Sequence, residues 1–263
     1  MGLVIAAGAP PAHASILGYG FGFTQYYSQT SNSQPTSPYE DQADADLSTS
    51  LSTDLTGVSV TSSSPLSPMV MTGGGGNYQY HRTFGSQAAM DADFPDSTTY
   101  TFTISGGTLA GQSQSATTPS ADAFSAVPFF TGSTFSSLQG ANAASAINLT
   151  FNSLTPVEGH SIEAEVLVFQ GSNFIWTSPN YFNSQTSSTI PANTLSPGTA
   201  YQIELYFFEG SGSPPGAEVD YASETLASFT TAAAPEPSSL ALAGLGAALG
   251  LLARAIRARR TRC

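Results

Sequence analysis

Carboxylates are the side chains of this sequence best suited to chemistry, and three of them lie close together in the segment MDADFPDS. Asp91, Asp93 and Asp96 have a loop-like spacing, and carboxylate oxygens are the ligands that Ca²⁺ prefers. The segment lacks the Gly at the sixth position and the Glu at the twelfth position of an EF-hand loop. We therefore interpret it as an ordinary acidic loop and expect no metal or other cofactor, with Ca²⁺ at these residues as the alternative.

A second acidic group lies in the segment EDQADADL, which we also interpret as a solvated acidic loop. Further along the chain, Glu163 and Glu165 share one face of a predicted strand. Two carboxylates at this spacing are too close to serve as the acid and base of an inverting glycosidase, so a solvated strand face explains them better. The carboxylates of the EDQADADL group are those of Glu40, Asp41, Asp44 and Asp46.

A nucleophile paired with a base is not recognisable in the sequence. It contains neither a GxSxG nor an HExxH motif. Of the histidines in the body of the chain, His81 alternates with aromatic residues in a predicted strand, and His160 lies in the predicted turn EGHS. We therefore predict no catalytic residue and expect that the protein is not an enzyme.

Several aromatic side chains could stack on sugar rings, because each has an apolar body and a polar tip. A sandwich core also requires aromatic side chains, and the alternation of Tyr78 with Tyr80 is what a buried strand face produces. We therefore expect a core role, with carbohydrate binding as the alternative. The aromatic candidates are Tyr26, Tyr27, Tyr78, Tyr80 and Trp176.

The composition limits the classes of partner. The 263 residues are 40% hydrophobic but only 9% charged, with a formal net charge of −12. Between Ser15 and Pro235 there are 17 acidic residues and a single arginine, Arg82. The resulting negative charge repels nucleic-acid phosphates. Because Cys263 is the only cysteine, the chain has no internal disulfide and no zinc site built from cysteines.

Alternation of apolar and polar residues predicts β-strands through most of the chain. In TTYTFTIS, for example, Tyr100, Phe102 and Ile104 fall on one face, and YQIELYFF and SIEAEVLVF alternate in the same way. Gly, Pro, Ser and Asn clusters separate these segments, and sustained helical periodicity is absent before Pro235. The predicted fold class is all-β, an antiparallel β-sandwich. Shorter candidate strands are LGYGFGF, GVSVT, NYQYHRTF, AINLTF, FIWT and LASFT.

The strand pattern is interrupted once, at residues 132–143, where small polar residues predominate. This interruption predicts two sandwich domains, at residues 15–131 and 144–231. A single large sandwich is the alternative.

The beginning of the chain has features of a signal peptide. An apolar stretch is followed by Ala12-His13-Ala14, a small-x-small cleavage signature. Because a basic segment is lacking and residues 1–14 are few for a signal, we expect a truncated signal peptide whose true start lies upstream.

The end of the chain has three parts. Pro235, Glu236 and Pro237 form a stiff, extended tripeptide, residues 240–253 carry no charge, and an arginine cluster follows. The uncharged run spans roughly 21 Å as a helix, short of the ~30 Å hydrocarbon core, and flanking residues extend it to a predicted membrane helix at 238–256. The arginines predict a cytoplasmic C-terminus with the body outside. They are Arg254, Arg257, Arg259, Arg260 and Arg262.

This tripartite tail, at residues 232–263, resembles the PEP-CTERM sorting signal. The family signature is a Pro-Glu-Pro motif, a short apolar helix and a terminal arginine cluster, and each part has its match here. The resemblance implies that an exosortase, a membrane cysteine protease, processes the tail during export. It also implies a bacterium that makes exopolysaccharide.

A second resemblance concerns TLSPGTAYQIELYF, which is similar to the tyrosine corner of fibronectin type III domains. Leu195, Pro197, Gly198, Thr199 and Tyr201 match the family's turn into a strand. The resemblance implies that the hydroxyl of Tyr201 forms a hydrogen bond with nearby backbone. The family's core tryptophan should lie about 40 residues upstream, whereas the tryptophan here is only 19 residues before the motif.

Together these features predict an exported, non-catalytic β-sandwich protein of the cell surface or extracellular matrix. Its expected partners are an exosortase and the inner membrane, with exopolysaccharide as a further possibility and no nucleic acid. The first alternative is a lectin-like or Ca²⁺-dependent exopolysaccharide-binding module, and the second is a secreted hydrolase.

Overall fold

The fold is built from β-strands, which confirms the predicted all-β class. The computed structural model describes residues 14–122, 124, 126–154, 160–181, 185–212 and 216–234. In chain order the elements are β1 (Ile16–Ser28), β2 (Glu40–Thr49), β3 (Gly57–Thr61), β4 (Met69–Val70), β5 (Thr72–Gly74), β6 (Asn77–Phe84), α1 (Gln87–Asp93), β7 (Thr99–Gly106), β8 (Ser113–Thr117), α2 (Thr134–Leu138), β9 (Ile147–Thr150), β10 (Ser161–Gln170), β11 (Asn173–Thr177), β12 (Ser187–Ile190), β13 (Ala200–Ser211) and β14 (Ala217–Thr230).

The main sheet contains eight strands in the order β11-β10-β13-β14-β1-β2-β6-β5. Its strand pairs are antiparallel except at the centre, where β1 and β14 run parallel. The first and last strands of the body are therefore neighbours in one sheet. The strands of the predicted domain 144–231 lie on the β14 side of this junction, and those of the predicted domain 15–131 lie on the β1 side.

A second sheet of four strands, β4-β3-β7-β8, covers the part of the main sheet formed by β14, β1, β2 and β6. The apolar faces of these strands enclose the first core, in which Phe21 packs against Tyr100 and Phe102 with ring centroids 4.6 and 5.4 Å apart. Helix α1 adds Met90, which is buried in the same core. The alternation that predicted β7 therefore corresponds to one buried face.

The second core lies under the other half of the main sheet. Strands β9 and β12 form a two-stranded sheet, and their buried side chains meet those of β10, β13 and the end of β14. Strand β14 serves both cores, because Val219 and Tyr221 belong to the first core while Ala227 and Phe229 belong to the second. The division into domains at 15–131 and 144–231 stays a prediction.

The predicted tyrosine corner is present at the start of β13. The hydroxyl oxygen of buried Tyr201 accepts a hydrogen bond of 2.8 Å from the backbone N–H of Ser196. The hydroxyl of Thr231 donates to the carbonyl of Ser196 at 2.7 Å, so the last residues of the sandwich are tied to the same turn. Gly198 has a positive φ of 64°, which glycine adopts without strain.

Two expectations about local structure were wrong. The segment EDQADADL is strand β2 rather than a loop, because Ala43, Ala45 and Leu47 alternate with its acidic residues and fill the first core. The segment MDADFPDS is not wholly a loop either, because Asp91 and Asp93 belong to helix α1, whose seven residues are too few for a helical period to be recognised.

The predicted signal peptide and the predicted tail fall largely outside the described residues. Within the part of the chain that the structure describes, no helix is long and apolar enough to cross a membrane. The predicted membrane helix at 238–256 lies beyond that part.

Candidate functional site

The outer surface of the main sheet carries half of the acidic side chains of the chain. Successive side chains of a strand point to opposite faces, so each strand that fills a core also presents a second set of residues outward. We call this outer surface of β10, β13, β14, β1, β2 and β6 the acidic face. Nine of the chain's 18 acidic residues belong to it: Glu40, Asp44, Asp46, Glu163, Glu165, Glu204, Glu218, Asp220 and Glu224.

Carboxylates and tyrosines alternate across five strands of this face. The pairing registers place Glu40 of β2 beside Tyr26 of β1, Tyr26 beside Glu224 of β14, Glu224 beside Tyr206 of β13, and Tyr206 beside Glu165 of β10. Adjacent strands are about 4.8 Å apart, so carboxylates in this line recur about every 10 Å, with one tyrosine between each pair. We call these five residues the Glu–Tyr row.

The carboxylates of the acidic face disfavour one another's charge. Burial, and then repulsion by Glu204, raises the pKa of Glu224 to about 7. Burial, and then the charges of Glu218 and Asp46, raises the pKa of Asp220 to about 7 as well. Around neutral pH the face therefore holds carboxyl groups that a nearby cation would help to ionise.

Additional aromatic rings extend the apolar surface beside the Glu–Tyr row. Phe208 stacks with Tyr206 at a centroid distance of 6.2 Å, and Tyr39, which is 57% exposed, packs against Tyr26 at 6.3 Å. The hydroxyl of Tyr26 donates to the side-chain oxygen of Gln42 at 3.2 Å, which fixes its tip while the ring stays half-buried.

Shallow depressions lie on either side of the row. One, of about 150 Å³, is lined by Tyr26, Tyr39, Glu204 and Glu224 among others. Another, of about 160 Å³, lies beside Phe208 and also contacts Tyr206 and Asp220. Each combines an aromatic ring with a carboxylate, so each can contact the apolar side of a ring and accept hydrogen bonds from its polar substituents.

Glycines of β1 leave the centre of the acidic face without large side chains. A Cβ atom at Gly20 would lie 2.0 Å from the carbonyl oxygen of Glu218, so this position needs glycine for the close pairing of β1 with β14. A Cβ atom at Gly22 would meet nothing within 4 Å. Gly22 therefore leaves open space next to Asp220, in the second depression.

A histidine lies at the β6 side of the acidic face. His81 is 2.7 Å from Asp44 through Nδ1 and Oδ1, and both side chains keep solvent contact. The amide of Gln42 also donates to Asp44, at 2.6 Å. His81 is thus part of the acidic face through its contact with Asp44.

A separate polar cavity of about 340 Å³ lies on the inner side of the main sheet, between the two cores. A chain of hydrogen bonds lines it. Tyr27 donates to Gln25 at 2.7 Å, Gln25 to Gln87 at 3.2 Å, and Gln87 to Asp122 at 2.6 Å. Burial raises the pKa of Asp122, whose carboxylate is the last acceptor of this chain of hydrogen bonds.

Of the aromatic residues that the sequence suggested for sugar stacking, Tyr26 alone lies on the acidic face. Tyr27 and Tyr78 are buried on the inner side, and Tyr80 and Trp176 pack against the cores. Sequence reasoning missed Tyr206 and Phe208, although both alternate with the core residues of YQIELYFF, and this alternation places them on the outer face.

The three residues proposed as Ca²⁺ ligands are not arranged as a metal site. Asp93 forms a 2.9 Å ion pair with Arg82, while Asp91 interacts with Asp122, and burial together with that carboxylate raises its pKa to about 6. Asp96 is exposed in the loop after α1. Within the described ranges no group of three or more His, Cys, Asp or Glu side chains is arranged to hold a metal ion.

Other residues singled out in the sequence are distributed over the molecule. Glu163 and Glu165 share the outer face of β10, as their spacing predicts. His160 precedes β10 and lies 3.3 Å from buried Glu209. The sorting motif Pro235-Glu236-Pro237, the arginine cluster and Ala12 lie outside the described residues, while Ala14 is the first residue described.

Comparisons with known proteins give only distant similarity. No family model matches the chain, and no curated protein matches it. Among solved structures, the FN1–FN3 domains of chicken CNTN1 are 15% identical with a TM-score of 0.27, covering 72% of this chain and 61% of that one. A structure of a 1.5-MDa bacterial ice-binding adhesin is 14% identical with a TM-score of 0.26, covering 81% of this chain and 65% of that one. The chain thus spans less than two thirds of the length of either structure.

Proposed function

We propose that the protein is an exported, non-catalytic protein of the cell surface or extracellular matrix that binds polysaccharide on its acidic face. The observation that carries this proposal is the Glu–Tyr row, in which tyrosine rings and carboxylates alternate across five strands. Sugar rings present an apolar face to an aromatic ring and hydroxyl groups at their edge. A surface that alternates rings with hydrogen-bond acceptors suits both features.

The flatness of the acidic face favours binding of a long chain over enclosure of a small molecule. Small-molecule sites are usually deep and largely apolar. The depressions here are open and small, and the row runs across several strands, so one extended polymer can contact many of its residues at once.

The carboxylates of the acidic face are poorly arranged for hydrolysis. A glycosidase needs one carboxyl group kept protonated and a second kept ionised, which requires environments that move the two pKa values apart. Burial raises the pKa of both Glu224 and Glu204, the charge of Glu204 raises the pKa of Glu224 further, and the charge of Glu165 raises the pKa of Glu204 further. This common direction supports the proposal of binding without catalysis.

The binding proposal is tested by co-sedimentation of the full-length chain with a panel of insoluble neutral, anionic and amine-bearing polysaccharides. We expect at least one to retain the protein, and Tyr206→Leu to weaken retention about tenfold, because the variant keeps an apolar side chain but loses the ring. Tyr206→Phe is the matched control, since it keeps the ring. Failure of every polysaccharide to retain the protein would overturn the proposal, and release of reducing ends would show that the protein is a hydrolase.

The proposed location rests on the tail. We propose that the signal peptide directs export, that the helix at 238–256 holds the body outside the inner membrane, and that an exosortase then processes the chain at its Pro-Glu-Pro motif. Replacing residues 235–237 by Ala-Ala-Ala should leave membrane insertion intact but prevent tail removal in an exosortase-containing host. Equally fast processing of this variant, read as the mass of the exported body, would contradict the sorting mechanism.

A further inference from the structure

The acidic face lacks the cations that would normally balance it. The sequence contains no lysine, and Arg82, the one arginine in the body, lies on the inner side of the sheet edge, where it pairs with Asp93. The nine acidic residues of the face are partly buried or exposed, and His81 is the only basic side chain among the described residues of the face. Charge of this density favours a cationic partner and repels an anionic one.

The spacing of the Glu–Tyr row adds a geometric condition. Glu40, Glu224 and Glu165 recur about every 10 Å, with Tyr26 and Tyr206 between them. In an extended β-linked sugar polymer successive rings are flipped, so a given substituent returns to the same side once per disaccharide. The substituent of every second sugar can thus meet a carboxylate, while the ring of the intervening sugar lies over a tyrosine.

We propose that the polysaccharide bound by the acidic face is a cationic amino-sugar polymer, an extended β-linked chain with free amino groups, laid along the Glu–Tyr row. This inference rests on the proposed function and names its ligand class. Ammonium groups form charge-assisted hydrogen bonds with the carboxylates, and the sugar rings cover Tyr26 and Tyr206. The raised pKa of Glu224 agrees with this, since an ammonium group would restore the ionised form that burial and the charge of Glu204 disfavour.

The test uses the full-length chain and three soluble probes in calorimetry at moderate ionic strength. They are a β-linked glucosamine hexamer, the same hexamer with every amine acetylated, and hexalysine, which has a similar number of charges and no sugar. We expect the glucosamine hexamer to bind at least about tenfold more tightly than either of the others. Acetylation removes the charge, and hexalysine removes the rings that stack on tyrosine.

Matched variants test which carboxylates bind the glucosamine hexamer. Glu224→Gln preserves the shape of the side chain and should weaken binding of the glucosamine hexamer about tenfold while changing binding of the acetylated hexamer little. Asp96→Asn removes the same charge from an exposed loop on the inner side of the sheet and should leave both affinities unchanged. Thermal melting of each variant confirms that it is folded, and Glu40→Gln at the end of the row repeats the test at a second site.

The outcomes separate this inference from the proposed function. Equal or tighter binding of the acetylated hexamer would overturn the cationic ligand but leave polysaccharide binding standing. Hexalysine that binds as tightly as the glucosamine hexamer would overturn the sugar ligand, since the face would then recognise charge alone. Binding of neither hexamer, together with failure of every polysaccharide in the sedimentation panel, would overturn both proposals.

Discussion

Removal of one carboxylate from the acidic face should stabilise the fold at neutral pH, and the size of the effect follows from its electrostatics. The pKa of Glu224 is raised from 4.5 to about 7. Each pKa unit corresponds to about 1.36 kcal/mol, so a difference of about 2.5 sets an upper limit near 3 kcal/mol. Glu224 keeps some solvent contact, and part of its raised pKa comes from the charge of Glu204. We therefore expect Glu224→Gln to increase the free energy of unfolding by about 1–2 kcal/mol at about pH 8.

The sign of this effect depends on pH. Below about pH 4 the carboxyl group is protonated in both folded and unfolded chains, so Gln and Glu are equivalent there. As pH rises above 4.5 the unfolded chain loses its proton while the folded chain keeps it, and the free energy of unfolding falls until the folded group ionises near pH 7. The stabilisation by Glu224→Gln should therefore be near zero at about pH 4 and complete above about pH 8.

Urea denaturation of the full-length chain at both pH values measures this difference. Asp96→Asn is the control, because it removes a carboxylate from an exposed loop away from the acidic face. A gain for Glu224→Gln that is equal at both pH values, or a loss at about pH 8, would refute the account of repelling, partly desolvated carboxylates.

Other substitutions test the geometry that shapes the acidic face and its support. Gly20→Val should destabilise the fold by about 2 kcal/mol or more, because its Cβ would overlap the Glu218 carbonyl, whereas Gly22→Val should change the free energy of unfolding by less than about 0.5 kcal/mol. Gly22→Val should nevertheless weaken polysaccharide retention in the sedimentation assay, since its side chain fills the depression beside Phe208; unchanged retention would place the ligand elsewhere. Tyr201→Phe should cost about 1–2 kcal/mol in urea denaturation, because the Ser196 N–H loses its buried acceptor, and a variant as stable as the parent would show that the corner contributes nothing.

Alternation in the sequence predicted most of the long strands because a half-buried strand requires period two. β6 and β7 match their predicted segments within a residue, as does β10. β2 was missed because Leu47 is the only large apolar residue among its five buried residues; two of the others are alanines, which have low strand propensity, and acidic residues lie between them. Small side chains can still fill the first core here, since large aromatic residues of the neighbouring strands supply the volume.

The acidic face could not be predicted from the sequence because it depends on pairing between distant strands. Glu40, Tyr26, Glu224, Tyr206 and Glu165 lie on five strands that span most of the body, and their alignment follows from the registers of four strand pairs. The parallel pairing of β1 with β14 is the essential step, and no local signal marks it. Local alternation could have placed each residue on an outward face, but not beside the others.

Carboxylate footprinting tests most directly whether the acidic face is the binding surface. The full-length chain is labelled with a carbodiimide and an amine, with and without the polysaccharide that retains it, and labelling is read by peptide mass spectrometry. We expect polysaccharide to reduce labelling of Glu40, Glu165 and Glu224 while Asp96 is labelled equally in both samples. Unchanged labelling along the Glu–Tyr row, with protection confined to other carboxylates, would contradict the central claim.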